Sequence, residues 1–174
     1  MQRIFAFLSC CLILSCCNTK SAVLSKNDNA VLQSACPGDG VCTIAQKQNK
    51  SVSVLEDEYG NLNYKLEDSP SKSVYIITYN RNVPKDVQDG TYREEIIFES
   101  ENSNKSSVME GEALQNARLL FGRFCYCKGQ TGYYRINQGI IRVSGDDKKR
   151  VFSVDFTNPK TPQVLSSVKF TVRL

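Results

Sequence analysis

Apolar residues in this chain return every second position, and that period commits it to strands. The last segment is the clearest case. Val164, Ser166, Val168, Phe170, Val172 and Leu174 share one side, while Ser167, Lys169, Thr171 and Arg173 share the other. Successive side chains of an extended backbone point to opposite faces, so this pattern describes a half-buried strand; a helix would repeat near 3.6. Shorter alternating runs occur at Val52/Val54, Leu62/Tyr64/Leu66 and Phe152/Val154/Phe156, and at Val74/Ile76/Thr78 with Tyr75/Ile77/Tyr79 opposite. Turn-forming residues separate them: Glu58-Tyr59-Gly60-Asn61, Gln88-Asp89-Gly90, Ser144-Gly145-Asp146-Asp147 and Asn158-Pro159-Lys160. The expectation is an all-β domain of about eight strands, an antiparallel sandwich or barrel spanning 35–174.

Two places depart from the pattern. Between 112 and 121, Leu114, Ala117 and Phe121 lie on one helical face, so a short helix and an irregular strand both fit. Parity also slips between Tyr134/Ile136 and Ile141/Val143, and Gly139 suits a bulge or a tight turn there.

The first residues form a separate unit. One positive residue, Arg3, precedes an apolar run from Ile4 to Leu14, and a small residue follows. That is the layout of a secretory signal peptide over 1–15; the run is about eleven residues, too short to span a bilayer, which takes roughly 20. Ile13-Leu14-Ser15-Cys16 resembles the lipobox of bacterial lipoproteins. The resemblance implies cleavage before Cys16 and acylation of that cysteine, so that covalent lipid is the only non-protein group expected. Cys10 would split the apolar run, and Cys17 has Cys16 at its −1 position. Residues 16–34 are mostly polar and small, and Asn18–Gln33 reads as a flexible tether spanning about 20–25 Å.

Loss of Arg3 with the leader takes Lys+Arg from 22 to 21 against 18 Asp+Glu, a net charge of +3. With its basic residues dispersed, the chain lacks the footprint of a nucleic-acid binder. Histidine and tryptophan are both absent. The first absence removes the commonest general base and metal ligand. The carboxylate runs Glu56-Asp57-Glu58, Glu94-Glu95 and Asp146-Asp147 read as solvated loop charges, since neighbours on a strand face opposite ways and cannot act as a pair. No catalytic residue is assigned, and the chain is read as non-enzymatic.

Eight cysteines are present, of which Cys36, Cys42, Cys125 and Cys127 belong to the domain. An even four in an exported domain reads as a disulfide framework with three possible connectivities. Alternate residues on one strand lie about 6.5–7 Å apart, so a Cys125–Cys127 bridge requires a bend. Cys36–Cys42 could close around Pro37-Gly38. The crossed arrangement, tying both early cysteines to both late ones, is the expectation, because it leaves no strained or idle thiol. Such long bridges would contribute about 3–4.5 kcal/mol each. A four-thiolate metal site, or a redox role, is the competing reading. Its spacing departs from the usual knuckles and no Cys-x-x-Cys is present, so no metal ligand is assigned.

The segment 118–142 is the most unusual in composition, with aromatics, glycines and cations around Cys125-Tyr126-Cys127. Arg123, Tyr126, Lys128, Tyr133, Tyr134 and Arg135 form the candidate binding patch, since tyrosine and arginine are favoured at interface hot spots. A core strand, a turn and a second strand would produce the same composition without any binding role. Lys128-Gly129-Gln130-Thr131-Gly132 lacks the Gly-Lys-Ser/Thr of a phosphate loop.

Leu-Ser-Cys-Cys, Cys-Pro-Gly-Asp-Gly, Phe-Cys-Tyr-Cys-Lys-Gly and the alternating final strand together resemble small β-rich outer-membrane lipoproteins of the Bacteroidetes type. The resemblance implies a lipid-anchored accessory or binding protein at the outer membrane, with an envelope protein as partner. Cys17-Asn18-Thr19-Lys20-Ser21 lacks an acidic surface-export signal, which favours the periplasmic face. A glycan or peptide ligand held by Tyr126, Tyr133 and Tyr134 is the alternative.

Overall fold

The alternating runs form ten strands and one 3-10 helix in a computed structural model that describes residues 29–174. The leader and Cys16 lie outside the described residues, as does the first part of the tether. In chain order the strands are β1 (Ala30–Leu32), β2 (Gly40–Glu56), β3 (Leu62–Arg81), β4 (Tyr92–Glu101), β5 (Ser107–Glu110), β6 (Leu120–Cys125), β7 (Gly132–Arg135), β8 (Gly139–Gly145), β9 (Lys149–Phe156) and β10 (Ser167–Arg173). They make two antiparallel sheets, ordered β1-β10-β9-β8-β5 and β2-β3-β4-β6-β7. The expected all-β sandwich is what the chain adopts, with more strands than the eight anticipated.

The main core lies between the sheets. Register places Phe152 opposite Phe170 on one sheet and Tyr75 opposite Phe98 on the other. Phe152 and Phe170 stack at 4.7 Å, and Tyr75 meets both rings at 4.6 and 5.2 Å. Aromatic contact of this kind adds to area burial, so these four rings are the energetic centre of the domain. Ile77, Ile96, Phe121, Ile141, Val154 and Val172 extend the same core.

A second, smaller core sits on the opposite face of the second sheet. β2 and β3 are far longer than their neighbours, 17 and 20 residues. Their pairing shifts register between Gln48 and Lys50, where Asn49 adopts a left-handed φ of 56°. On the facing strand Pro70 has no N–H to offer a ladder, which suits it to the break. Beyond this bend the distal half of the hairpin, Lys50–Glu56 with Leu62–Asp68, folds over the sheet like a strap. Val52 is buried there with Val74, Ile97 and Leu120, flanked by Val54, Tyr64 and Leu66. A bridge between Leu62 and Tyr133 pairs β3 with β7, closing β3, β4, β6 and β7 into a small ring.

Several expectations are corrected. Ordered structure begins before Ala35: β1 occupies Ala30–Leu32, inside the segment read as tether, because Ala30 and Leu32 bury against β10. The 112–121 segment divides. Gly111–Ala117 is a 3-10 helix burying Leu114 and Ala117, ended by Arg118 at φ 52°, whereas Phe121 belongs to β6. The alternation at the C-terminus starts only at Ser167; Leu165 is buried out of phase, and Leu174 is exposed. The parity slip marks a crossing between sheets, since β7 lies in one and β8 in the other. Gly139 is required at that crossing: its φ is 147°, and a Cβ would lie 2.2 Å from the Asp155 carbonyl.

Candidate functional site

Both disulfides sit at one end of the second sheet, and neither is crossed. Cys36 bonds Cys42, and Cys125 bonds Cys127, with Cα separations of 5.6 and 5.1 Å. The long-range pairing expected from sequence is therefore replaced by two local loops. The reason is geometric: Cys125 is the last residue of β6 and the chain turns immediately, which brings Cys127 well inside the separation of an extended pair. All four of these thiols are bonded, so the four-thiolate metal reading loses its ligands. Among the described residues no cluster of three or more His, Cys, Asp or Glu could hold a metal ion.

Register gathers these loops. Cys42 faces Tyr79, Tyr79 faces Glu94, and Glu94 faces Arg123, in one row across β2, β3, β4 and β6. The Cys36–Cys42 loop carries Asp39, which accepts from the Tyr79 hydroxyl at 2.7 Å and from Arg81 Nε at 3.1 Å. The Tyr79 bond, with Arg81 beside it, holds the Asp39 carboxyl below the usual carboxylate range.

Glu94 and Glu95 are not the solvated charges their sequence suggested. Glu94 is fully buried. It accepts from the Tyr92 hydroxyl at 2.5 Å and from the backbone N–H groups of Val164 and Leu165 at 2.7 Å each. It thereby pins the β9–β10 connection to the other sheet. Glu95, on the opposite face of β4, accepts from the Tyr133 hydroxyl at 2.7 Å. Burial and that hydrogen bond push the Tyr133 phenol far above its ordinary range, so it stays a donor at any physiological pH. Both oxygens of Glu94 are committed to structural donors, and the two carboxylates cannot cooperate.

The six residues of the sequence-derived patch disperse. Arg123 is buried, with Nε on the Tyr92 hydroxyl at 3.3 Å and Nη1 on the Gln130 side chain at 2.7 Å. Tyr133 and Tyr134 alternate on β7: Tyr133 packs in the smaller core and Tyr134 against the larger one. Arg135 pairs with Glu56 on the strap at 3.4 Å. Only Tyr126 and Lys128 remain together in the open, on the turn after β6.

What surrounds Tyr126 is a different set, drawn from three strands. An open groove of about 520 Å³ runs past Asn80, Arg81, Arg93, Phe124, Tyr126 and Thr131. Arg81 lies over the Tyr92 ring and Arg93 over the Phe124 ring, each at 4.4 Å from the centroid. Phe124 meets Tyr133 edge-on at 5.1 Å, and Tyr133 meets Tyr64 at 5.4 Å. Gly122 makes this possible, because a Cβ there would fall 2.6 Å from the Tyr133 ring. Cations stacked on fixed rings lose little freedom when a second partner arrives. Arg81, Arg93 and Phe124 were not singled out from sequence; their β3–β4–β6 register alone brings them together. Thr131 fixes the turn: its hydroxyl donates to the Arg123 carbonyl at 3.1 Å and accepts from the Cys125 N–H at 3.4 Å.

The fold and this end define a two-sheet β-sandwich with a strapped second core and a rigid, disulfide-bearing face of alternating cations and rings. No protein-family model, curated protein or solved structure matches the chain.

Proposed function

We propose that this chain is a lipid-tethered accessory protein of the bacterial outer membrane, non-enzymatic, whose disulfide-bearing end meets a protein partner. The observation that carries the reading is Tyr126, 81% exposed at the tip of a turn closed by a disulfide. An exposed ring on a rigid mount, next to half-exposed Arg81 and Arg93, has the composition of an interface anchor. The partner is an envelope protein presenting carboxylates toward the two guanidinium groups and an apolar surface toward Tyr126 and Phe124.

The lipobox-like Ile13-Leu14-Ser15-Cys16 supports the tether. Several acyl chains on Cys16 would make attachment effectively permanent, each buried CH₂ contributing about 0.8 kcal/mol. The periplasmic face is the proposed side, for want of an acidic run after Cys17. A peptide or glycan in the groove is the second reading, favoured by the groove's volume, which suits a small ligand. It would rest on Tyr126 and Phe124, because Tyr133 and Tyr134 do not line that space.

Two variants test the proposal together. Cys16→Ser should move the protein from the membrane to the soluble fraction and leave the leader uncut at that site. Tyr126→Ala with Arg93→Glu, in the lipidated protein, should leave membrane attachment intact while crosslinked capture of the partner from intact envelopes falls at least tenfold. Unchanged fractionation in the first case removes the tether; unchanged capture in the second removes the face.

A further inference from the structure

At the far end of β4 from the groove, Arg150 is buried without a counter-charge among the described residues. Tyr92 opens β4 and Glu101 closes it, so the two ends lie about 30 Å apart at roughly 3.3 Å per residue. Arg150 is only 4% exposed. Its Nη1 donates to the Glu101 backbone carbonyl at 2.6 Å and its Nη2 to the Ser100 hydroxyl at 2.8 Å. Its Nε has no hydrogen-bond partner among the described residues. Among the described residues no carboxylate pairs with it. The nearby Glu99 is taken by Lys72 at 2.6 Å, and by the Ser51 hydroxyl and the Val52 N–H. Glu101 offers Arg150 its carbonyl rather than its side chain.

Buried charges are ordinarily paired, because an uncompensated ion in the interior costs several kcal/mol. Arg150 stacks on Phe152 at 4.8 Å, which offsets part of that cost. Burial also holds its pKa below the usual arginine range. Arg150 lines a cavity of about 240 Å³ together with Ser100, Lys72, Lys105, Ser107 and Asn116. The wall also includes the two carboxylates Glu99 and Glu101, so three cations face two anions. The space holds several water-sized groups, and its surplus charge is positive.

We infer that this cavity binds a small oxyanion, a phosphate or a carboxylate, with Arg150 as the primary cation, Lys105 at the mouth, and Ser100 and Ser107 as hydroxyl donors. The oxyanion supplies the charge that the fold leaves out. This site is independent of the Tyr126 face.

The test is thermal unfolding of the full chain against inorganic phosphate, glycerol phosphate and acetate, each compared with chloride at equal ionic strength. A saturable rise in midpoint of about 5–10 °C is expected at a hundredfold excess over Kd. Glycerol phosphate binding tighter than phosphate would point to a lipid headgroup as the source; acetate binding best would point to a carboxylate. Lys105→Glu, an exposed substitution that leaves the fold intact, should weaken the effect at least tenfold, and Arg150→Gln should abolish it. Should Arg150→Gln fail to fold, the wild-type titration and Lys105→Glu still decide. No shift beyond chloride from any of the three anions overturns the inference, as does an unaltered response in Lys105→Glu.

Discussion

Between the sheets, Tyr75, Phe98, Phe152 and Phe170 fill space against one another, and the buried carboxylate there, Glu94, bonds the β9–β10 connection at the end of the sandwich and not these rings. Under the strap, Val52, Val74, Ile97 and Leu120 bury a smaller surface and depend on a carboxylate. Glu99 is buried at the strap's edge, accepting from the Val52 N–H at 2.7 Å, the Ser51 hydroxyl at 2.8 Å and Lys72 at 2.6 Å. On the other side Tyr133 bonds Glu95. The comparison teaches that one sheet can carry two cores only if the lesser is clasped. A hairpin half lying on the face of a sheet buries too little apolar area to hold itself there against its own chain entropy.

The largest expected effect comes from the greater core. Phe98→Ala removes a fully buried ring that meets Tyr75 at 5.4 Å. It should cost about 3–5 kcal/mol in global stability, measured by denaturant unfolding. All strands should lose protection together. Glu99→Ala should cost about 2–4 kcal/mol, because it strands a buried N–H and an ammonium. Its signature differs: hydrogen exchange should accelerate in Lys50–Glu56 and Leu62–Asp68 while β9 and β10 stay protected.

The clasp should also respond to acid. Burial works to raise the Glu99 carboxyl, but the bonds from Lys72, Val52 and Ser51 outweigh it and hold its pKa below the usual carboxylate range. A carboxyl depressed in the folded state adds stability that is present above its unfolded pKa and lost as pH falls through the folded one. Strap protection should therefore weaken in acid before the main core yields. Glu99→Gln should flatten that dependence, which exchange measured across the acid range would show.

A smaller effect is expected at the disulfides. Their closed loops are short, so removing either bridge as a double serine variant should cost about 1.5–2.5 kcal/mol. Under the crossed pairing either variant would break both bridges at once, about 3–4.5 kcal/mol for each. Denaturant midpoints of Cys36→Ser/Cys42→Ser and Cys125→Ser/Cys127→Ser separate the two.

The sandwich was legible because period two is a direct image of one-sided burial, and the segments Phe152–Phe156 and Val168–Val172 carry it cleanly. The strap was not, because Val52/Val54 and Leu62/Tyr64/Leu66 alternate in the same way whichever apolar surface they meet. Alternation reports a buried face without naming the partner. The site was harder still. The six patch residues lie close together in sequence, yet alternation sends Tyr133 to one face and Arg123 and Tyr134 to the other. Arg81, Arg93 and Phe124 come from strands more than ten residues apart, and only inter-strand register brings them together. Glu94 and Glu95 escape a sequence reading for a related reason: a charge pair reads as solvated unless its hydrogen-bond donors, here 38 and 70 residues away, are known.

The most direct test of the Tyr126 face is a photo-crosslinking side chain placed at position 126, compared with one at Val108. Val108 is also exposed but lies on β5, in the other sheet. In intact cells position 126 should trap one discrete envelope protein, position 108 should not, and Arg93→Glu should abolish the product. Equal crosslinking at both positions, or a product at 126 indifferent to Arg93, would contradict the account.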